Sequence, residues 1–171
     1  SSDVCSSDLE GFFFVYFEGE LFRKVDKGLI VGGLKELERV DSLKEVEELL
    51  LEKEVKKGKA LAVFWLSRRG FFAGEIKQKL ENKGFSSLAI MQTLVFCEKI
   101  GALNDQKLAE EWIAKELRKG RGSFSALYKI RQWVDVEELV LDYDKIGELE
   151  KQAAREYLKK KRIDLSEKLE W

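Results

Sequence analysis

The feature that most constrains the fold is a short template that occurs three times at nearly constant spacing. Each copy has an alanine, an aromatic residue three positions later and an aliphatic residue four positions later, which places all three side chains on one face of a helix. The copies are Ala62-Val-Phe-Trp65-Leu66, Ala109-Glu-Glu-Trp112-Ile113 and Ala154-Arg-Glu-Tyr157-Leu158. Their aromatic residues are 47 and then 45 positions apart. Repeats of this length are typical of stacked helical modules, so we expect Trp65, Trp112 and Tyr157 to face the core.

The composition agrees with a mainly helical chain. It contains no proline, which would interrupt helices, and few of the β-branched runs that strands need. The 31 basic and 32 acidic residues leave a net charge of -1. Net charge therefore favours neither nucleic acid nor an anionic membrane, and any basic partner-binding surface must be local.

The absence of histidine removes the usual general base and the commonest metal ligand. Cys5 and Cys97 are too far apart in sequence for a zinc motif, and so sparse a pair suits a reducing cytosol. We expect Cys97 to be a small core residue. The glycine-rich segments lack the order of a phosphate-binding loop, and no apolar run of about 20 residues predicts a membrane span. These observations predict a cytoplasmic protein that is not an enzyme and has no cofactor or metal.

Each unit is predicted to contain three helices: one that bears the aromatic residue, a short one and a long one. In the first unit Ile76 lies in the short helix, Gly84 fits its left-handed cap, and LAIMQTLVFCEKI forms the long helix. In the second unit Ala126 marks the short helix, and a capping box at Asp135 predicts the start of the third. The third unit stops after its first helix, so we expect it to be incomplete.

The N-terminal part has a different pattern. FFFVYFEGELFRKV predicts a β-hairpin that turns at Glu18-Gly19, and a capping box from Ser42 to Glu45 opens a helix. The first residues, SSDVCSSDL, resemble a translated sequencing adaptor, with a disordered polar tail as the alternative, and are excluded from the predicted fold. The predicted parts are a non-native or disordered tail (1–10), a hairpin with a capping helix (11–56), two three-helix repeats (57–103 and 104–142) and an incomplete third repeat (143–171). Together they predict an elongated, curved array of helices.

Basic residues follow each copy of the template. A charge run is usually a solvated face, and that interpretation stays open. Corresponding positions in stacked units would instead form a periodic basic strip, which is how repeat proteins build extended binding surfaces. The candidate partner-binding residues are Arg68, Arg69, Lys77, Lys79, Arg118, Lys119, Arg121, Lys129 and Arg131.

Several of these segments resemble the RecX regulators of the bacterial RecA recombinase. The similarity lies in SRR followed by GEIKQKLENKGF, in the Gly101 to Asp105 step, and in DQKLAEEW, which ends at Trp112. Arg121-Gly122 before the second short helix and the opening hairpin also match. Two positions depart from the family: Phe72 stands where a serine usually caps the first short helix, and Trp133-Val134 replaces a glycine cap. Because of these departures and the incomplete third repeat, we expect weaker binding than in a full member.

The resemblance implies a monomeric, non-enzymatic modulator that lies along a RecA filament on DNA and restrains ATP hydrolysis, filament extension and strand exchange. Two alternatives remain open. One is a helical repeat protein that binds nucleic acid directly, which predicts a steep dependence of binding on salt. The other is a helical scaffold in which the basic residues have no binding role.

Overall fold

The computed structural model describes residues 6–9, 11–30, 36 and 39–161, and it is mainly helical with a small antiparallel sheet at the N-terminal end, as predicted. The strands are β1 (Ser6–Leu9), β2 (Phe12–Phe17) and β3 (Glu20–Asp26). The helices are α1 (Lys27–Ile30), α2 (Leu43–Leu66), α3 (Ala73–Asn82), α4 (Ser87–Lys99), α5 (Asp105–Arg118), α6 (Ser123–Ile130) and α7 (Tyr143–Lys160), with a 3₁₀ turn at Val136–Glu138. The chain divides into two compact units, the first ending at Leu103 and the second beginning at Asn104.

The predicted hairpin is confirmed. β2 and β3 pair antiparallel, with Phe17 opposite Glu20, so that a two-residue turn joins them. Both turn residues have positive φ, 50° at Glu18 and 82° at Gly19, which is the backbone that a tight hairpin with right-handed strand twist requires.

The predicted tail needs a correction at four residues. Ser6–Leu9 forms β1 and pairs antiparallel with β2, so that Leu9 lies opposite Phe12. Strand pairing is made by hydrogen bonds between backbone groups, so it depends little on the type of side chain. Gly11, between β1 and β2, has a φ of 93°, which glycine adopts readily. A polar composition therefore did not prevent these residues from joining the sheet. Residues 1–5 and 10 lie outside the described residues.

Helix α2 begins as predicted, because the Ser42 hydroxyl accepts a hydrogen bond from the Glu45 amide at 3.3 Å. It then continues without a break for 24 residues. The predicted boundary between residues 56 and 57 consequently falls inside a single helix, and the capping helix and the first helix of the first repeat are one element. The weakest helix former between Glu52 and Leu66 is Gly58, and one glycine does not end a packed helix.

The core of the first unit lies between the sheet and helices α2, α3 and α4. It contains the buried residues Val15, Val25, Val46, Leu50, Ile76, Leu80, Ala89, Ile90 and Cys97, with Trp65 partly buried against them. Cys97 is thus a core residue as predicted, and burial raises the pKa of its thiol. Gly84 closes α3 with a φ of 79°, and the Phe85 amide donates back to the Leu80 carbonyl at 3.1 Å.

The second unit is built from α5, α6 and α7 around Ala109, Ile113, Leu117, Ala126, Ile130 and Ile146. Its predicted third helix is wrong: Asp135 caps only the 3₁₀ turn. The next helix begins soon afterwards: Asp142 accepts a hydrogen bond from the Lys145 amide at 2.9 Å and so caps the start of α7. Too few residues remain between the two aspartates for a helix.

Tyr157 lies near the C-terminal end of α7. Its side chain is 48% exposed, so the prediction that Tyr157 faces the core is wrong, and Trp112 is only partly buried. The Tyr157 ring covers Gly120, where an added Cβ would come within 3.2 Å of it. Tyr157 therefore packs on backbone at the rim of the unit.

Candidate partner-binding surfaces

The nine candidate cations form two groups, one in each unit. The first basic corner is defined as Arg68, Arg69, Lys77 and Lys79, and the second basic corner as Arg118, Lys119, Arg121, Lys129 and Arg131.

Three cations of the first basic corner lie over aromatic rings. The Arg68 guanidinium is 4.7 Å from the centroid of Phe64, and that of Arg69 is 3.5 Å from the centroid of Phe71. The Lys79 amine lies 4.9 Å from the ring of Trp65. Such contacts are favourable while leaving the charge in water. The tryptophan beside this basic segment is therefore packed against the core on one side and covered by Lys79 on the other.

Arg69 also contributes to the start of α3, whose N-terminal cap residue, Phe72, has no side-chain oxygen. The carboxylate of Glu75 accepts the Phe72 amide at 3.0 Å, and it also accepts the Arg69 guanidinium at 2.9 Å. Phe72 itself is fully buried. This position therefore fills the core, and the first helical turn supplies its own acceptor. Lys77 is exposed and only 3.9 Å from Glu81, a surface pair of little energetic weight.

The second basic corner is organised by Glu116. Its side chain is 6% exposed, and it accepts Lys119 Nζ at 3.1 Å, Arg121 Nη1 at 3.0 Å and Lys129 Nζ at 3.0 Å. Gly120, with a φ of 76°, ends α5 and turns the chain so that the Arg121 amide donates to the Glu116 carbonyl. The hydrogen bonds from Lys129, Arg121 and Lys119 lower the pKa of Glu116 to about 2.

Sequence reasoning did not single out Glu116. A signal was present, because Glu116 follows Trp112 by four positions and Ile113 by three and so shares their helical face. A carboxylate on a buried face needs cationic partners, and the basic residues just after it supply them.

Arg118 and Arg131 complete the second corner without a carboxylate partner among the described residues. Arg118 is exposed, and its Nε donates to the Ala114 carbonyl at 3.3 Å. Arg131 is also exposed and lies 4.7 Å from the ring centroid of Tyr128. Together with Arg68, these are the exposed candidate arginines that have no carboxylate partner within the described part of the chain, whereas Arg69 and Arg121 have one each.

Helix α6, which carries Lys129, receives its N-terminal cap from another helix. Its own cap position is Gly122, and the carboxylate of Glu150 in α7 accepts the Ser123 amide at 2.6 Å. This hydrogen bond lowers the pKa of Glu150. The position of α6, and with it the second basic corner, therefore depends on α7.

A second buried carboxylate, Glu54, was also missed. It is 1% exposed in the middle of α2 and binds both guanidinium nitrogens of Arg23, with Nη1 at 3.1 Å from its Oε2. The Ser86 hydroxyl and amide donate to the same carboxylate at 2.6 and 3.3 Å. Glu54 thus joins strand β3, helix α2 and the start of α4. Because Arg23 and Glu54 are distant in sequence, no local pattern predicts their contact.

The described residues contain neither a cluster of metal ligands nor a membrane-spanning helix. No group of three or more histidine, cysteine, aspartate or glutamate side chains in that part of the chain could hold a metal ion. No described helix is both long and apolar enough to cross a membrane.

Comparison with known proteins finds relatives described as regulatory protein RecX. The one from Chlorobium phaeobacteroides (strain BS1) is 32% identical over 94 residues, 52% of this chain and 62% of that protein. The one from Clostridium perfringens (strain SM101 / Type A) is 32% identical over 101 residues, which are 58% of this chain and 47% of that protein. The one from Pasteurella multocida (strain Pm70) is 35% identical over 57 residues, which are 33% of this chain and 35% of that protein. The chain thus covers less than two thirds of each relative.

A solved structure, the crystal structure of regulatory protein RecX, superposes with a TM-score of 0.49 and 13% identity, over 88% of this chain and 72% of that one. No family model matches the chain.

Proposed function

We propose that this chain, which is similar to proteins described as regulatory protein RecX, binds RecA recombinase filaments and inhibits their ATPase activity, extension and strand exchange. In this role it regulates DNA repair and recombination in the cytoplasm, as a monomer without catalytic activity of its own. The nine cations of the two basic corners are the proposed partner-facing residues.

The observation that best supports this proposal is the set of exposed arginines without a carboxylate partner in the described part of the chain. Arg68 belongs to the first unit, and Arg118 and Arg131 belong to the second. Guanidinium groups bind carboxylates and phosphates in planar, two-pronged contacts. Cations on two linked units give several weak contacts, and linkage raises their combined affinity through effective concentration.

The test is the single-stranded-DNA-stimulated ATPase of the cognate recombinase, measured with increasing amounts of the chain. We expect hydrolysis to fall, and the variant Arg68→Glu, Arg118→Glu, Arg131→Glu to need about tenfold more protein for the same inhibition, or about 1.4 kcal/mol. Unchanged hydrolysis together with no association with filaments would exclude the proposal.

A matched control reverses three exposed lysines of α2 outside both corners, Lys44, Lys56 and Lys57, and so changes the net charge equally. We expect this control to inhibit as the unaltered chain does. Equal loss in both variants would show that only net charge matters, and equal inhibition by both would favour a scaffold without a binding role for the arginines. Lys119 and Arg121 are left unchanged because carboxylates there would face Glu116.

A further inference from the structure

Helix α6 exposes two aromatic rings on one face. Phe124 is 86% exposed and Tyr128 is 68% exposed, one helical turn apart, while Ser123, Ala126 and Ile130 form the buried face of the same helix. Arg131 continues the exposed face, with its guanidinium over the Tyr128 ring. Neither aromatic residue is needed for the core of the second unit, and a contiguous exposed apolar surface commonly marks a binding site.

The segment that carries this face is positively charged, and the carboxylate of Glu150 lies at the N-terminal end of its helix, where it accepts the Ser123 amide. From Leu117 to Val134 the chain has no acidic residue, whereas Arg118, Lys119, Arg121, Lys129 and Arg131 are basic. Glu116, just before this segment, is buried and shared by three of those cations, so it leaves an excess of positive charge. In a chain with a net charge of -1, this concentration is local.

We infer that the face formed by Phe124, Tyr128 and Arg131 binds single-stranded nucleic acid. Its unpaired bases stack on the two rings while its phosphates meet the surrounding cations, which is the combination that single-strand-binding surfaces use. The phosphates of duplex DNA could also bind the cations, but the bases of a duplex are already stacked on one another and leave no ring faces free for Phe124 and Tyr128. An acidic protein surface satisfies the charge without using both rings. This inference concerns the isolated chain and does not depend on the proposed action on recombinase filaments.

The experiment measures fluorescence anisotropy of a labelled 20-nucleotide oligothymidylate, with the full chain added at low salt. We expect binding that weakens as salt rises, because each neutralised phosphate releases counterion. Phe124→Ala and Tyr128→Ala should each weaken binding by about tenfold, the order expected for loss of one stacking contact. Tyr128→Phe keeps the ring and should bind within about twofold of the unaltered chain.

The matched control is Tyr143→Ala, which removes another exposed tyrosine of the second unit, one without a cation over its ring among the described residues. It should leave the affinity unchanged, and thermal unfolding should show that all these variants remain folded. No binding to the oligothymidylate, or unchanged binding by both alanine variants, would overturn the inference. The inference would also be overturned if the Phe124→Ala and Tyr128→Ala variants lost association with recombinase filaments but still bound the oligonucleotide, since the face would then bind a protein.

Discussion

Two carboxylates, Glu54 in the first unit and Glu116 in the second, are buried on helices, and each is surrounded by donors. Glu54 receives Arg23 and two groups of Ser86, and Glu116 receives three cations from the loop and helix that follow it. A buried charge is tolerated only when it is paired and hydrogen-bonded. These residues therefore hold their surroundings in place, and their removal has a predictable cost.

Glu54→Ala leaves the Arg23 guanidinium and the Ser86 donors without their acceptor. We expect the free energy of unfolding, measured by urea denaturation, to fall by about 3 kcal/mol. The matched control is Glu48→Ala in the same helix, an exposed residue 3.9 Å from Lys44, for which we expect a change of about 0.5 kcal/mol or less. Similar losses in both variants would contradict the buried network.

Glu116 predicts a specific pH dependence. Its pKa is lowered to about 2 by Lys129, Arg121 and Lys119, so its stabilising effect is present above the ordinary pKa of a glutamate and is lost as the pH falls toward 2. Glu116→Gln lacks this effect. The difference in Tm between the unaltered chain and this variant should therefore shrink between about pH 5 and pH 2. A difference that stays constant over this range would show that Glu116 does not titrate as described.

At the scale of the elements, the short helices α3 and α6 share an unusual start. Neither has a side-chain cap from its own cap residue, and each uses a glutamate instead: Glu75 in the first turn of α3, and Glu150 from α7 for α6. Phe72 shows why α3 does without a serine, because a fully buried aromatic side chain stabilises the core by more than the roughly 1 kcal/mol of a cap.

The contact between α2 and α4 predicts opposite effects of the same substitution at two helical glycines. A Cβ at Gly58 would come within 2.6 Å of the Thr93 hydroxyl, whereas one at Gly147 in α7 meets nothing within 4 Å. Gly147→Ala should raise the free energy of unfolding by about 0.5–1 kcal/mol through helix propensity. Gly58→Ala should lower it by about 1–3 kcal/mol by overpacking. Stabilisation by both, measured by urea denaturation, would show that the two helices are not in close contact.

At the scale of the whole molecule, the first unit has a buried core of its own. The fourteen buried residues of this core among the described residues lie between Val15 and Leu103. A fragment of residues 1–103 should therefore remain helical by circular dichroism and unfold cooperatively in urea. A gradual transition, or strong binding of a hydrophobic dye by the fragment, would show that the first unit needs the second.

Much of the fold could be predicted because its signals are local. The hairpin turn, the serine cap of α2 and the glycine end of α3 involve residues within one or two turns of one another. The candidate site was predicted only as a set of cations. Their unequal availability was not predicted. The buried face signals that Glu116 needs cations, but only the packing decides that Arg121 and Lys129 pair with it while Arg118 and Arg131 do not.

The sequence by itself determined the helical class and the hairpin, because helical periodicity, caps and turns are set by neighbouring residues. It also carried the likeness to proteins described as regulatory protein RecX. Only the tertiary structure decided that α2 is one helix, that the third helix of the second unit is a 3₁₀ turn, and that Tyr157 lies at the rim. It also paired Arg23 with Glu54 and Ser123 with Glu150. These outcomes depend on which faces become buried together, and desolvation acts only once distant segments have packed.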